Sequence, residues 1–428
     1  MESYTLNNFT ITFNKKGSGE YSKVSYPVRY GRFSEIKTRD YVFQFNLNGE
    51  IRYIQGTNNN WPHPAEWLKR TTANDWVYYT ADGYSGVYDF LGEYYLPCLP
   101  YSSNSITNRN PFAENEITCA IESFKNLLGE IKRLYSLSIQ ENIKHFLTTI
   151  TKNNARSLIR RARAFHDIIG GQITVLPPDT RHVDYEVIPV TIADGCLYNC
   201  GFCTVKSGKP FLPRSKENIL EQIYRLKEFY AHDICNYNAV FLGQHDALNS
   251  GTELIEFAAK NSYECFDIEH SNMKDAYLFL FGSVDSLMSA EENLFQLLNS
   301  LPFYTYINIG LESADTATLG LLKKPVTADS VNDAFSRMIE INKRYDRIEV
   351  TANFVLDNYI ADGHLPATIE LVRNSLEHFY SKGAIYLSPL INGKNKENLR
   401  KRRDIVEKFN EIKTLSRLNT FIYLIQRL

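Results

Sequence analysis

The sequence has no long hydrophobic run, no excess of charge of one sign and few cysteines, and each absence excludes a class of protein. The longest apolar stretches, such as residues 276–281, fall far short of the ~20 residues that a membrane helix needs, so no membrane partner is expected. Residues 1–15 lack a basic segment followed by an apolar one, so no secretory signal is visible and a cytoplasmic location is the expectation. Lys and Arg number 47 against 49 Asp and Glu, a formal net charge of −2. That balance removes the general electrostatic case for a nucleic-acid or membrane-surface protein, although a local patch stays open. Seven cysteines in 428 residues do not make a disulfide scaffold. What is present is a hydrophobic fraction of 43% with 22% charge, enough to bury a core. At roughly 100–200 residues per domain the length suggests two or three domains, or one large α/β barrel with an appendage.

Composition changes along the chain. Residues 1–110 hold 22 of the 56 aromatic residues and all three tryptophans, Trp61, Trp67 and Trp76. Residues 41–48 and 51–54, joined through Asn48-Gly49, predict a hairpin, because Asn-Gly readily supplies a tight turn. Residues 76–79 and 84–88, flanking Asp82-Gly83, predict a second strand pair. An aromatic-rich β domain follows from this, its rings read as core rather than as a base-stacking platform. Residues 115–169 take a helical period, with Ile121, Phe124, Leu127, Leu128, Ile131 and Leu134 on one stripe. Arg156, Arg160, Arg161 and Arg163 read there as a solvated face. Gly170-Gly171 ends this stretch.

After about residue 185 the pattern alternates. Strand-like runs at 187–192, 239–242, 276–281, 304–309, 348–356 and 384–387 are separated by amphipathic stretches at 216–230, 251–261, 290–298, 328–344 and 366–380. Six apolar strands alternating with helices predict parallel strands covered by helices, curling toward a full or partial barrel. Function then belongs at the C-terminal ends of the strands.

Cys196-Leu-Tyr-Asn-Cys200-Gly-Phe-Cys203 falls just after the first of these strands. Thiolates at spacings of four and three on one loop can converge on one centre. Three sulfurs do not complete a closed structural zinc site, but they can hold a 4Fe-4S cluster with one iron open to a ligand. The competing readings are a chance grouping, or a zinc knuckle with a distant fourth ligand such as His182 or Cys235. Cys98, Cys119, Cys235 and Cys265 are dispersed and read as buried small hydrophobes.

The loop, with an aromatic before its last cysteine, resembles the signature of the radical SAM superfamily, in which it follows the first barrel strand. The resemblance implies a partial (β/α)6 TIM-like barrel and a 4Fe-4S cluster on Cys196, Cys200 and Cys203. It also implies S-adenosylmethionine on the open iron, cleaved by one electron to a 5′-deoxyadenosyl radical that abstracts hydrogen from a substrate the sequence does not identify. Phe202 would pack near the adenine. Gly243 and Asp246, in Val240-Phe-Leu-Gly-Gln-His-Asp-Ala-Leu248, match the turn that receives the methionine amino group, although Gln244 and His245 stand where a second glycine is common. The alternative for Asp246 is a plain turn or helix N-terminal acid. Gly310-Leu-Glu-Ser313 is similar to members resembling oxygen-independent coproporphyrinogen oxidase and the methylthiotransferases; Glu312 and Ser313 would lie at the cofactor, Glu312 toward its ribose. Lys324, with Lys323 as competitor, would pair the cofactor carboxylate, and Thr327 reads as a helix N-cap. An electron donor of the flavodoxin or ferredoxin type and an oxygen-poor cytoplasm follow from the resemblance. No catalytic acid, base or hydrogen donor stands out.

The resulting division is 1–110, the aromatic-rich β domain; 111–180, a helical connector; 181–395, the barrel; and 396–428, a helical tail. Residues 181–185 could face the barrel mouth or serve as a linker. Residues 61–67 could cap the barrel and shield a radical. The basic run at 394–403 reads as a solvated helix start; binding RNA would need it on one face with the arginines at 156–163, and the near-neutral charge argues against nucleic acid. Two other readings stay open at this point: an RNA- or protein-modifying member of the same superfamily, and a non-catalytic zinc-binding interaction protein.

Overall fold

The computed structural model describes residues 2–6, 8–21, 29–59, 61–81, 87–99, 110–134, 140–198, 200–203, 208–243, 245–357, 360–390 and 399–428. The chain begins with an antiparallel meander: β1 (Glu2–Leu6), β2 (Phe9–Lys16), β3 (Arg32–Lys37), β4 (Tyr41–Phe45), β5 (Ile51–Gly56), β6 (Trp67–Arg70), β7 (Trp76–Thr80) and β8 (Leu96–Cys98), with α1 (Val87–Leu91) between the last two. The expected β4–β5 hairpin is present, with Phe43 opposite Ile54. Its turn is fixed by the Asn46 side chain, which accepts the Asn48 and Glu50 N–H groups, and by Gly49 at φ +74°. The second expected pairing does not form. β7 lies between β6 and β8, and residues 87–88 of its supposed partner belong to α1; residues 84–86 lie outside the described residues. Ring packing favours the observed register: Trp67 stacks on Tyr79 at 5.3 Å and meets the Tyr95 edge at 4.4 Å. Both Trp67 and Trp61 are thereby buried in this sheet's own packing, Trp61 with its ring on Gly56 and its indole N–H on the Glu66 carbonyl. They do not cap the barrel.

Three helices follow, α2 (Asn115–Leu134), α3 (Glu141–Lys152) and α4 (Ala155–Ile169). Phe124 of α2 packs on Phe43 and Phe45, and Phe146 of α3 on Phe13 and Phe45, so the connector covers one face of the meander. Asn154 caps α4 and Gly170, at φ +77°, ends it. The arginine face is not wholly solvated. Arg156, Arg160 and Arg163 are exposed, but Arg161 pairs with Glu50, lies 4.3 Å over the Phe229 ring and donates to the Phe229 carbonyl.

The second sheet is parallel. Its strands and their crossovers run β9 (Ile188–Thr191), a small hairpin of β10 (Ala193–Asp194) and β11 (Leu212–Pro213), α5 (Lys216–Tyr230), β12 (Ala239–Gly243), α6 (Thr252–Cys265), β13 (Tyr277–Gly282), α7 (Val284–Ser289) with α8 (Glu292–Ser300), and β14 (Tyr304–Glu312). Then come α9 (Thr316–Leu322) with α10 (Ala328–Arg344), β15 (Ile348–Leu356), α11 (His364–Ile369), β16 (Ile385–Pro389), α12 (Leu399–Leu415) and β17 (Thr420–Ile422). The order in the sheet is β17-β16-β15-β14-β13-β12-β9, so each strand pairs with its predecessor across a helical crossover. β9 and β12 are buried along their whole length, which is why they read as continuous apolar runs. The sheet has seven strands rather than six. The seventh lies in the expected helical tail and spans three residues, too short to show a period.

Beneath the N-terminal ends of the parallel strands lies a 3-10 turn, Pro178–Val183. Asp179 accepts hydrogen bonds from Thr351 and Tyr386, both at 2.7 Å, and the His182 ring stacks on Tyr306. Residues 181–185 therefore sit at the strand N-termini, opposite the mouth. Of the four dispersed cysteines only Cys98 is buried; Cys119 is exposed, and Cys235 and Cys265 are half-buried. Among the described residues, no helix is long and apolar enough to cross a membrane.

Glu186, just ahead of β9, joins the two sheets. Arg52 of β5 reaches both its oxygens at 2.5 Å and Lys69 of β6 lies at 2.7 Å, while Lys69 also meets Asp184. Burial alone would raise the Glu186 pKa, but Arg52 and Lys69 overrule it and hold it at about 2. Because that pKa is depressed, its stabilisation is complete above the ordinary carboxylate range and is lost as pH falls toward 2. Glu186→Ala is expected to cost about 3–5 kcal/mol, since it strands the buried Arg52 and leaves Lys69 with Asp184 alone. Urea denaturation at pH 7 measures this loss, and the variant's stability should fall less steeply than the wild type's between pH 4.5 and 2.

Candidate active site

The cysteine loop leaves the C-terminal end of β9 through a built neck. β10 and β11 pair antiparallel across it, and Arg214 clamps Asp194 with bonds of 2.8 and 2.7 Å while reaching the Ile169 carbonyl at the end of α4. Gly195 stands at φ +77° with the Pro210 carbonyl where a Cβ would be, so the neck closes only around glycine. Gln222 of α5 bonds both the N–H and the carbonyl of Thr191, fixing the end of β9 from behind.

Within the loop Cys200 is buried, and Cys196, Phe202 and Cys203 are half-buried. Burial raises the pKa of the Cys196 and Cys200 thiols, and the neighbouring thiols add to it, while Lys324 opposes. Among the described residues, no three His, Cys, Asp or Glu side chains converge closely enough to hold a metal ion. His182 and Cys235, the candidate fourth zinc ligands, precede β9 and β12 and so stand at the opposite end of the sheet from the loop.

The other candidates gather at neighbouring strand ends. Gly243 is the last residue of β12. Asp246, 2% exposed, follows it; its Oδ1 accepts the Ser283 N–H at 3.1 Å, and its Oδ2 is buried with no hydrogen-bond partner among the described residues. Burial raises its pKa against the Ser286 and Ser283 groups beside it. Asp246 does not cap the short turn that it begins.

Glu312 ends β14 at φ +67°, a left-handed conformation that a glutamate seldom adopts, beside a register shift at Gly310. A Cβ on Gly310 would stand 2.6 Å from Glu312 Oε1, so the missing side chain makes room for the carboxylate. Burial raises the Glu312 pKa and Lys324, 4.0 Å away, opposes it. Lys323 takes φ +50° as the cap of α9 and is exposed, which turns Lys324 inward to burial over the Tyr198 ring. The loop and this turn are also joined by a Gly201 N–H bond to the Leu322 carbonyl at 2.9 Å. Thr327 caps α10 in a capping box with Ser330, as the sequence predicts.

Ser313 points elsewhere. Fully buried, its hydroxyl donates to His364 Nδ1 at 2.7 Å and accepts the Asp315 N–H, while His364 Nε2 donates to the Val355 carbonyl. It braces the chain after Glu312 rather than facing the mouth. Tyr198, Gly310, Ser283 and His364 were not singled out by sequence reasoning; only the ring inside the cysteine loop and the glycine two before Glu312 gave any signal.

A soft three-thiol loop, a buried carboxylate, a buried ammonium and a glycine-cleared carboxylate lie at the ends of β9, β12 and β14. These groups fit an iron–sulfur cluster with a bound ligand carrying an ammonium, a carboxylate and hydroxyls.

Residues 190–372 match the Radical SAM superfamily, so this region is a radical SAM domain. No curated protein matches the chain. Among solved structures it is similar to the cobalamin-dependent S-adenosylmethionine radical enzyme OxsB with aqua-cobalamin and S-adenosylmethionine bound, at 13% identity over 53% of this chain and 31% of that one, TM-score 0.34. It is similar to a radical SAM methyltransferase from Sphaerobacter thermophilus at 13% identity, 55% and 65% coverage and TM-score 0.36. Methylornithine synthase (PylB) gives 8% identity, 69% and 81% coverage and TM-score 0.33. The chain thus spans less than two thirds of the first two, and at such identities and scores none of these likenesses bears on substrate or reaction.

Ser313→Ala is expected to destabilise the chain by about 1–3 kcal/mol, because it leaves the buried His364 Nδ1 without its donor. Urea denaturation of the two proteins at pH 7 measures it. A change of a few tenths would mean that the brace carries no load.

Proposed function

We propose that the chain is a radical SAM enzyme holding one 4Fe-4S cluster on Cys196, Cys200 and Cys203. When bound, the cluster supplies one electron to cleave S-adenosylmethionine to the 5′-deoxyadenosyl radical. Gly243 and Asp246 receive the methionine ammonium, Lys324 its carboxylate, and Glu312 the ribose hydroxyls, with Phe202 beside the adenine. Ser313 holds Glu312 in place through His364. The observation that supports the cofactor reading is the Asp246 carboxylate, buried at a strand end with Oδ2 lacking a hydrogen-bond partner among the described residues and only the Ser283 and Ser286 groups beside it.

The four segments 1–110, 111–180, 181–395 and 396–428 remain our proposed division, with the core extended by β17. Gly310-Leu-Glu-Ser313 supports kinship with the coproporphyrinogen oxidase and methylthiotransferase-like group. A flavodoxin- or ferredoxin-type donor in an oxygen-poor cytoplasm completes the proposal. The reactive hydrogen belongs to a substrate of unassigned chemistry.

Anaerobic reconstitution with iron and sulfide, reduction by dithionite and addition of S-adenosylmethionine should yield 5′-deoxyadenosine by chromatography, and Cys200→Ala should abolish it. Zinc in place of iron and sulfide, with no cleavage, would sink the enzyme reading in favour of a zinc-binding interaction protein. Asp246→Asn, which keeps the shape and loses the charge, should raise the KM for S-adenosylmethionine about tenfold or more.

A further inference from the structure

We propose that Tyr198 is a positioning residue that sets where the Lys324 ammonium stands and so how S-adenosylmethionine is held; this rests on the cofactor reading above. Tyr198 lies between Cys196 and Cys200, yet it is 8% exposed and turned into the protein. Its hydroxyl accepts the Asp285 N–H at 3.0 Å, in the first turn of α7 just beyond β13. Its ring face receives Lys324 Nζ at 5.0 Å from the centroid. One side chain thereby ties the cysteine loop after β9 to the end of β13 and to the turn after α9.

The choice of a ring has a chemical consequence. A carboxylate in that place would engage the ammonium N–H groups and cancel the charge. A ring face attracts the cation and leaves its donors open. Glu312 does not fill the gap, because its Oε1 stands 4.0 Å from Nζ, beyond hydrogen-bond reach. Among the described residues no hydrogen bond engages Lys324 Nζ, so a buried ammonium is steered by Tyr198 and Glu312 while its three donors stay available to an incoming carboxylate. The hydroxyl bond to Asp285 keeps the ring from tilting away, since the loop on either side of Tyr198 is committed to the cysteines.

Tyr198→Phe keeps the ring and loses the Asp285 bond; Tyr198→Leu loses both. Both variants are reconstituted anaerobically, assayed for iron and sulfide, and titrated with S-adenosylmethionine by two readouts: 5′-deoxyadenosine formation and the electron paramagnetic resonance spectrum of the reduced cluster. Iron and sulfide should match the wild type. The KM for S-adenosylmethionine and the midpoint of the spectral change should rise together, about threefold for Phe and about tenfold for Leu, with kcat within about twofold. Tyr198→Leu combined with Lys324→Met should be no worse than Lys324→Met alone, because both act through one ammonium. Additive losses, an unchanged midpoint in the Leu variant, or iron loading that falls in step with activity would each overturn the proposal. If the Leu variant does not fold, Phe combined with Lys324→Met gives the same comparison. A wild-type chain that loads no iron and sulfide overturns the functional reading itself; a wild type that works beside an indifferent Tyr198→Leu overturns this inference alone.

Discussion

Glu186 stands where the antiparallel sheet meets the first parallel strand, and its single carboxylate takes both Arg52 and Lys69. The three charges are nearly excluded from water, so none of them is tolerable without the others. Asp184 supplies a second anion to Lys69, and Asn46 reaches across to Asp233 ahead of β12. The meander therefore grips the parallel sheet at the starts of β9 and β12. Those same strands carry the cysteine loop and the Gly243–Asp246 turn at their far ends. A grip at one end fixes the register of the other, because a parallel strand buried on both faces cannot slip by one residue without turning its side chains over.

The mouth is built by a different logic. Elsewhere the parallel sheet is built of buried apolar strands covered by amphipathic helices. At the strand ends several departures from local preference gather. Glu312 adopts a left-handed backbone beside a register shift, Gly310 gives up a side chain, Asp246 Oδ2 has no hydrogen-bond partner among the described residues, and Lys324 is buried over a ring. Each departure costs of order 1–3 kcal/mol, and their concentration in one place is what a binding site requires of its scaffold.

The sequence showed the parts that rest on local chemistry. Three cysteines at tight spacing on a strand end, continuous apolar strands between amphipathic helices, and the Asn48-Gly49 turn all declare themselves within a few residues. Pairings over long separations did not. The partners of β7 depend on how Trp67, Tyr79 and Tyr95 pack, and Arg161 reads as solvated until Glu50 and Phe229 are brought against it. β17, at three residues, is fixed only by its pairing with β16. Which of Lys323 and Lys324 is turned inward follows from the left-handed cap at Lys323, a backbone event with no signature in the residue type. Ser313, read as a site residue from its motif, was in the right place with a different partner, since His364 lies fifty-one residues on.

Asp246 joins these two scales. A carboxylate oxygen buried without a donor is destabilising by about 1–3 kcal/mol or more, and replacing it by an apolar residue would be the simpler way to fill a strand end. The fold instead spends the Ser283 N–H on the other oxygen and holds the carboxylate in place. An acceptor held that firmly is preorganised: a donor that meets it need not wait for the side chain to reorder. The same reasoning covers Lys324, whose charge is steered by a ring and a distant carboxylate rather than consumed. Opposite charges kept apart at the ends of strands whose loop carries three thiols are the arrangement that the proposed zwitterionic cofactor would need.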